Sequence, residues 1–543
     1  MHAREQENEF AASAARALQQ VRPSFRDELQ EALARQDNGG RWLRTLFILS
    51  CLPGILNGAH LASYVFLADD SEHWCAVPEL SQSGWSVQQI RNISLSFAEA
   101  QAQLASEPLP EERSCHSYMF LEAARDASIV SEWSLVCDNA PLRSTAQVAL
   151  AVGKIIGSLL FGCISDRMGR KTSFVAAALV YLVAGPAAAF SYHFTVFLCF
   201  RVALGAAGAG TFFTAYTILA ESAHPLKRPS LGVLFNISYP IGILALPVLA
   251  LIMPSWRALQ LAISLPALIL VLPSWFLPES PRWLLVQGRI TEALHVLRHS
   301  GSRKDSSRRL SILGATDDEP EQEHAACWVG SGAFLRRVFN LFRKSEFRRR
   351  LVVLQACWFA CALTYHSLAL SGATLLQQPH RYVALLGAAE LLGYLVPPLL
   401  LRSMGRRAAS SMLLLCTAAA LLSLLAIPPE WKSGVLAAAL IGRLCVSAAY
   451  SVVALYTAEL FPTVARGTAI GTCTTVAQFA SISAPYIVDI LGSQSAHIPS
   501  TICGAVAAFA SIVILALPET RDLPLVETID DVEITSRCEN CTS

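Results

Sequence analysis

The chain has 543 residues, of which 53% are hydrophobic and only 15% charged; its mean hydropathy is +0.44, whereas an ordinary soluble domain carries roughly a quarter charged residues. That balance argues against a soluble enzyme. A net charge of +1 supplies neither the basic excess of non-specific nucleic-acid binding nor the acidic excess of a solvating chain, so the expected class is an all-α polytopic membrane protein.

Residues 1–42 are polar, mix Arg with Glu and Asp, and show no signal peptide. Within them Phe10, Ala14, Leu18, Val21, Phe25, Leu29 and Leu33 trace a modest helical stripe, which suits a solvated helix better than one laid on the membrane. A spanning helix needs about 20 apolar residues to cross about 30 Å of hydrocarbon. Runs of that kind fall near 43–66, 145–165, 172–191, 195–218, 230–253 and 256–277, then 350–371, 380–402, 408–427, 433–457, 467–490 and 499–517. Polar or small residues interrupt the first and fourth, so hydropathy alone supports ten or eleven spans.

Lys and Arg are retained on the cytoplasmic side. The stretch 67–144 has only Arg91, Arg113, Arg125 and Arg143, whereas 280–350 is rich in basic residues and ends in Arg348, Arg349 and Arg350. Both termini and the middle loop are therefore expected in the cytoplasm, with about 32 basic residues inside against about 7 outside. The resulting plan is a cytoplasmic segment 1–42, a first six-helix bundle 43–277 with an extracellular loop 67–144, a cytoplasmic linker 278–349, a second bundle 350–517 and a cytoplasmic tail 518–543. The long outer loop suits an ordered cap. Its Cys75, Cys115 and Cys137 are disulfide candidates in an oxidising compartment, and Asn92, Ile93 and Ser94 form a glycosylation sequon. Cys538 and Cys541 form one CxxC without a second ligand pair, so no metal site is expected.

Internal repeats set the span count. GCISDRMGRK at 162–171 matches LRSMGRR at 401–407; FRVALGAAGAG with AYTILAE matches GRLCVSAAY with LYTAELFPTVARG; LPESPRWLL matches LPETRDLPL. Each pair is offset by six spans, which points to a duplication: twelve transmembrane helices in two pseudo-symmetric bundles. Charges at the first turn, Asp166, Arg167, Arg170 and Lys171 around Gly169, suit pairs that lock one global state and break in another, although basic turns also simply enforce orientation. Glu221, Arg402, Glu459 and Arg466 are assigned to the same gating set.

GCISDRMGRK resembles the loop motif of the major facilitator superfamily. DSEHWCAVP, SEWSLVC, LPESPRWLL, YTAELFPTVARG and LPETRDLPLVETIDD, in order at the right span boundaries between about residues 43 and 533, resemble the organic cation/anion transporter family, solute carrier family 22. The resemblance implies a polyspecific plasma-membrane carrier of small organic ions, a facilitator or exchanger, working by alternating access about a site near the bilayer midplane.

Charges within spans are costly and each is a functional hypothesis: Lys154, Arg201, Glu390, Arg443 and Asp489. Arg201 and Arg443 look equivalent in the two halves, with a packing role expected and substrate contact as the alternative. Glu390 matches a family acidic position; it either attracts a cation or pairs with Lys154 or Arg443. Lys154 replaces a small residue of the family and either favours anions or neutralises Glu390, while Asp489 is placed at the outer interface. At Gln478 the family commonly carries a charge that tracks substrate sign, and a neutral amide supplies none. Arg402 stands where the family carries an acid, which motivates an alternative function: a transport-impaired carrier-fold receptor or accessory protein. Trp358 and Tyr365 match the family's span-seven aromatics, with Tyr239, Tyr394 and Tyr450 as further ligand candidates. The sequence shows neither a nucleotide-binding GxxxxGK[ST] pattern nor a nucleophile–base cluster, so no cofactor, nucleic-acid partner or enzymatic role is expected. Oligomeric state is not encoded in these patterns.

Overall fold

Inside a bilayer every backbone polar group must be bonded within the protein, which restricts spanning segments to helices or closed barrels. The computed structural model describes residues 41–69, 73–75, 118–120, 128–223, 228–275, 277–287, 345–371, 378–428, 430–461, 463–495 and 497–521, with positions 289, 292, 295 and 296. These residues are overwhelmingly helical. The twelve main helices are α1 (Arg41–Ala62), α2 (Ala140–Met168), α3 (Arg170–Ala189), α4 (Phe194–Ser222), α5 (Ser238–Ile252), α6 (Trp256–Ser264), α7 (Ser345–Leu370), α8 (Pro379–Gly393), α9 (Arg406–Leu422), α10 (Lys432–Leu460), α11 (Thr463–Tyr486) and α12 (His497–Val513). Shorter pieces prolong several of them, including Tyr64–Leu67 after α1, Arg228–Asn236 before α5, turns as far as Trp275 after α6, and Val396–Ser403 after α8.

Ten spans are long and apolar enough to cross a membrane by length and composition. The marginal ones are α6 and α11, rather than the first and fourth runs. Pro266 and Pro273 divide the sixth span into α6 and short turns, since proline removes a helical donor and clashes with the preceding turn. The eleventh is rich in Thr, Ser, Ala and Gly because it is packed against α7, α2 and α10 and presents less surface to lipid. The small run Gly205–Gly210 does not break α4; it is buried where α4 lies on α2 and α3, the close approach that small residues permit between membrane helices.

In the first half α4 packs on α2 and α3, α1 on α5, and α3 on α6; in the second α7 packs on α11 and α10, and α9 on α12 and α10. The halves meet along two seams, α5 with α8 and α2 with α11. These elements supply the twelve-helix architecture that the repeats imply.

Expectations for residues 10–34, Asn92, Cys115, Cys538 and Cys541 fall outside the described residues, as does the Cys75 side chain. Two short antiparallel strands, β1 (His73–Cys75) and β2 (Tyr118–Phe120), pair with Cys75 opposite Tyr118. Cys137 is not bridged: its thiol is free and exposed, and its hydrogen bond is the main cause that pushes the Tyr118 phenol up to about 12. The helical turn Ile129–Trp133 opens on a reciprocal Ser128–Ser131 cap. Its Trp133 ring lies 5.4 Å from Trp256 and 5.2 Å from Phe197, and Glu132 pairs with Arg257 while accepting from Trp256 Nε1 at 2.6 Å. SEWSLVC thus ties the end of the long loop to α4 and α6.

Candidate functional site

The matched turns fold into matched latches. Gly169, between α2 and α3, has φ +102°, a backbone region that side chains disfavour. The Glu279 carboxylate lies over it, accepting from the N–H groups of Arg170 at 2.8 Å and Lys171 at 3.2 Å, where a negative charge meets the positive end of the α3 dipole. The Arg170 guanidinium reaches Glu221 on α4 at 3.3 Å and Asp166 on α2 at 3.4 Å. In the second half Glu519 accepts from the N–H groups of Arg406 at 2.7 Å and Arg407 at 3.1 Å, and Arg406 pairs with Glu459 on α10 at 3.1 Å. A Cβ would stand 2.3 Å from the Glu279 carboxylate at Gly169 and 2.2 Å from Glu519 at Gly405.

Glu279 and Glu519 escaped the sequence reading, although LPESP and LPETR had been matched as repeats; their roles depend on a contact more than 100 residues away. The exposed Arg402 has no carboxylate to offer, but its carbonyl and that of Ser403 accept from Arg521 at 3.3 and 2.9 Å, which fastens the second turn by another route. Arg466 does not join Glu459: its Nε and Nη2 are buried without a hydrogen-bond partner. Arg167 is exposed, and Lys171 joins the latch through its backbone N–H.

At the centre of the second half Arg443 on α10 and Glu390 on α8 are fully buried and paired at 2.5 Å. Tyr365 on α7 completes the group: its hydroxyl donates to Glu390 at 2.9 Å, its carbonyl accepts from Arg443 at 2.6 Å, and its ring lies 3.5 Å from the guanidinium carbon, a cation–π contact. Tyr394 donates to Glu390 at 3.4 Å. Tyr450 lies 5.2 Å from Trp358 and 6.4 Å from Tyr365, while Trp358 Nε1 is held by Thr457 at 3.0 Å. Tyr239 of α5 is within electrostatic reach of Glu390 and Arg443 from the other side of the seam. Four aromatic candidates of the second half and one of the first therefore gather around one ion pair.

Lys154 is not the partner of Glu390. It stands fifteen positions before Gly169, as Glu390 stands fifteen before Gly405, so the two halves carry opposite charges at one repeat register. Arg201 and Arg443 are not equivalent: Arg201 precedes Glu221 by twenty positions and Arg443 precedes Glu459 by sixteen, one helical turn apart. Arg201 is fully buried and bonds only neutral acceptors, the Ala146 carbonyl and Gln147 Oε1, each at 3.3 Å. Half-buried Gln478 holds a buried amide oxygen without a partner.

At the end opposite the latches, hydrogen bonds join the halves. Asp489 accepts from Ser144 of α2 at 2.7 Å and from Tyr64, and the Pro485 carbonyl accepts from Ser144 at 3.5 Å. Pro485 interrupts the α11 ladder and the chain continues as a π-helical turn, Ile487–Leu491, the kind of local irregularity that re-aims a side chain; here that side chain is Asp489. At the latch end the space around Gly162 of α2 and Gly471 of α11 is open, with nothing within 4 Å of an added Cβ.

This geometry accords with the comparisons. The model of the sugar (and other) transporter family matches residues 96–529. The chain belongs to that family. Within it the chain is 30% identical to the organic cation transporter protein of Drosophila melanogaster over 91% of this chain and 92% of that one. It is 30% identical to organic anion transporter 3 of Sus scrofa, over 90% of each, and 27% identical to solute carrier family 22 member 3 of Mus musculus, over 93% and 95%. This transporter therefore groups with solute carrier family 22 and not with enzymes. The inward-open xylose transporter XylE from E. coli has the same fold, with a TM-score of 0.62 at 16% identity, covering 91% of this chain and 99% of that one.

Two outcomes follow for the transporter. Arg443→Gln strands the Glu390 charge, a loss of about 3–5 kcal/mol when one member of a buried pair is removed; thermal unfolding of purified protein should show it, with Arg443→Gln/Glu390→Gln recovering much of the loss. Gly169→Ala should lower stability by about 1–3 kcal/mol through backbone strain and a displaced Glu279. In the same assay Gly162→Ala, which enters open space, should cost nothing.

Proposed function

We propose that the protein carries small organic ions across the plasma membrane by alternating access, with the halves 43–277 and 350–517 rocking along the α5–α8 and α2–α11 seams. The observation that carries this reading is that the halves are bonded through Asp489, Ser144 and Tyr64 at one end, whereas Gly162 of α2 and Gly471 of α11, at the other end, each border open space. The excess of Lys and Arg at the latch end marks it as cytoplasmic, with both termini on that side and Asn92 glycosylated outside. On this reading the conformation described is open to the cytoplasm.

The substrate path follows the seam. Lys154, Trp358, Tyr365, Glu390, Arg443 and Gln478 form its wall, with Tyr239, Tyr394 and Tyr450 adding aromatic faces; apolar walls with a few polar groups tolerate many flat ions. Because Glu390 and Arg443 neutralise each other, they shape the site, and Lys154 and Gln478 are left to meet the ligand. The gating set is Asp166, Arg167, Gly169, Arg170, Lys171 and Glu221 in the first half and Arg402, Glu459 and Arg466 in the second, together with Glu279 and Glu519; Arg466 stands beside the second latch rather than in its bonds to Glu459. The receptor alternative rested partly on Arg402, and the Arg521, Glu519 and Glu459 contacts give the second turn a fastening of its own.

Uptake of radiolabelled organic anions, cations and zwitterions into expressing cells, normalised to surface-biotinylated protein, should be saturable for at least one class. No uptake of any class at good surface expression would overturn the carrier reading in favour of the receptor. Asp489→Asn weakens charge-assisted bonds worth about 1.5–3 kcal/mol and should shift the population toward the state open at the other end. In inside-out vesicles, a cysteine introduced by Gly162→Cys should then react more slowly with an impermeant maleimide; an unchanged rate would remove Asp489 from the gate.

A further inference from the structure

Positive charge in the first half lacks the counter-charge that the second half supplies. Arg443 has Glu390, whereas Arg201, equally buried, has Nη1 with no partner and its other contacts on neutral oxygens. His60 of α1 is 2% exposed; the Ile263 backbone lies close by, yet neither ring nitrogen has a partner in hydrogen-bond geometry. The ring of His60 meets Tyr181 of α3 edge-on at 5.5 Å, and the Tyr181 hydroxyl is likewise buried and unpartnered.

Lys154 is within electrostatic reach of both His60 and Arg201. From across the seam His366 of α7, another nitrogen base, is within electrostatic reach of it. Among the described residues no carboxylate forms an ion pair with Lys154 or Arg201. Lys154 itself is partly exposed, whereas Arg201, His60 and Tyr181 are buried.

A guanidinium taken wholly out of water, with an ammonium close by, needs a counter-charge. The unsatisfied groups are predominantly donors, a guanidinium N–H, a phenol O–H and an imidazole with one N–H when neutral and two when charged, with the Lys154 ammonium beside them. Such a set is completed by a compact, singly charged acceptor. We propose that Lys154, Arg201, His60 and Tyr181 bind a monovalent anion in the first half, supplied either as a halide or as the carboxylate of the carried ion. Glu390 is the fixed counter-charge of the second half, and at the same repeat register the first half places Lys154 and takes its counter-charge from solution. The carboxylate arm rests on the proposed carriage of organic ions; the halide arm stands without it.

The test reads binding, not uptake, so failure of the transport reading leaves it intact. The purified full chain in nanodiscs, in a bulky zwitterionic buffer, is titrated with chloride, bromide or benzoate while thermal unfolding is followed, with binding of radiolabelled chloride measured in parallel. A ligand that binds only the folded state stabilises it in proportion to the logarithm of its concentration above Kd, so a saturable rise of about 2 °C or more is expected. Lys154→Met should abolish the rise and cut chloride or benzoate affinity at least tenfold, whereas Lys154→Arg should retain it. Displacement of labelled chloride by benzoate would assign the site to both sources; stabilisation by chloride alone assigns it to a halide, and by benzoate alone to the substrate carboxylate. No saturable response to any of the three anions, or the same response in Lys154→Met, would overturn the proposal.

Discussion

Arg443 is the constraint on which the second half depends. A guanidinium cannot shed its proton at any working pH, so one placed at the centre of a spanning bundle must find an anion within the protein. Glu390 supplies it from α8, and Tyr365 binds both members from α7. Three helices are thereby fixed to one another at the level where Tyr394, Tyr450 and Trp358 assemble. Whether such a pair adds net stability over apolar packing is secondary; its consequence here is positional, because α8 is also the helix that forms the seam with α5.

The duplication preserved the latches and let the centres diverge. Glu279 and Glu519 each cap the helix that follows a glycine turn, and Arg170 and Arg406 each reach a glutamate at the end of the fourth helix of their half. Both arrangements are built from short strings, so a repeat in sequence maintains them. Central charges face no such local restriction: Lys154 and Glu390 share a register with opposite sign, and Arg201 and Arg443 are displaced by a turn. Each half thus became a different electrostatic wall on a common frame.

Features set by local rules were legible in the sequence. Hydropathy, the basic turns and the matched strings marked twelve helices in two halves, and the charged spans marked Glu390 and Arg443. What could not be read was pairing across long separations. Glu390 was open to Lys154 or Arg443 because sequence distance does not say which helices face each other; Glu279 and Glu519 were quoted in their motifs without a role for the same reason. Hydropathy also misplaced the weak spans, since small and hydroxylated residues interrupt α4 without breaking it, while α11 carries many Thr, Ser, Ala and Gly residues along its contacts with α7 and α2. Cys137 looked like a disulfide partner from compartment alone, and its free thiol reflects a geometry that cysteine counting does not contain.

The latches also constrain how the halves can move. Arg170 and Arg406 bond glutamates of their own half, so in this conformation they stiffen each bundle internally and leave the latch end free to part. Contact at the other end includes the bonds of Asp489, which lies in the π turn after Pro485, and the Phe66–His380 ring pair at 4.9 Å. On the proposed cycle, loss of the Asp489 bonds permits separation at that end while the opposite ends of α2 and α11 approach.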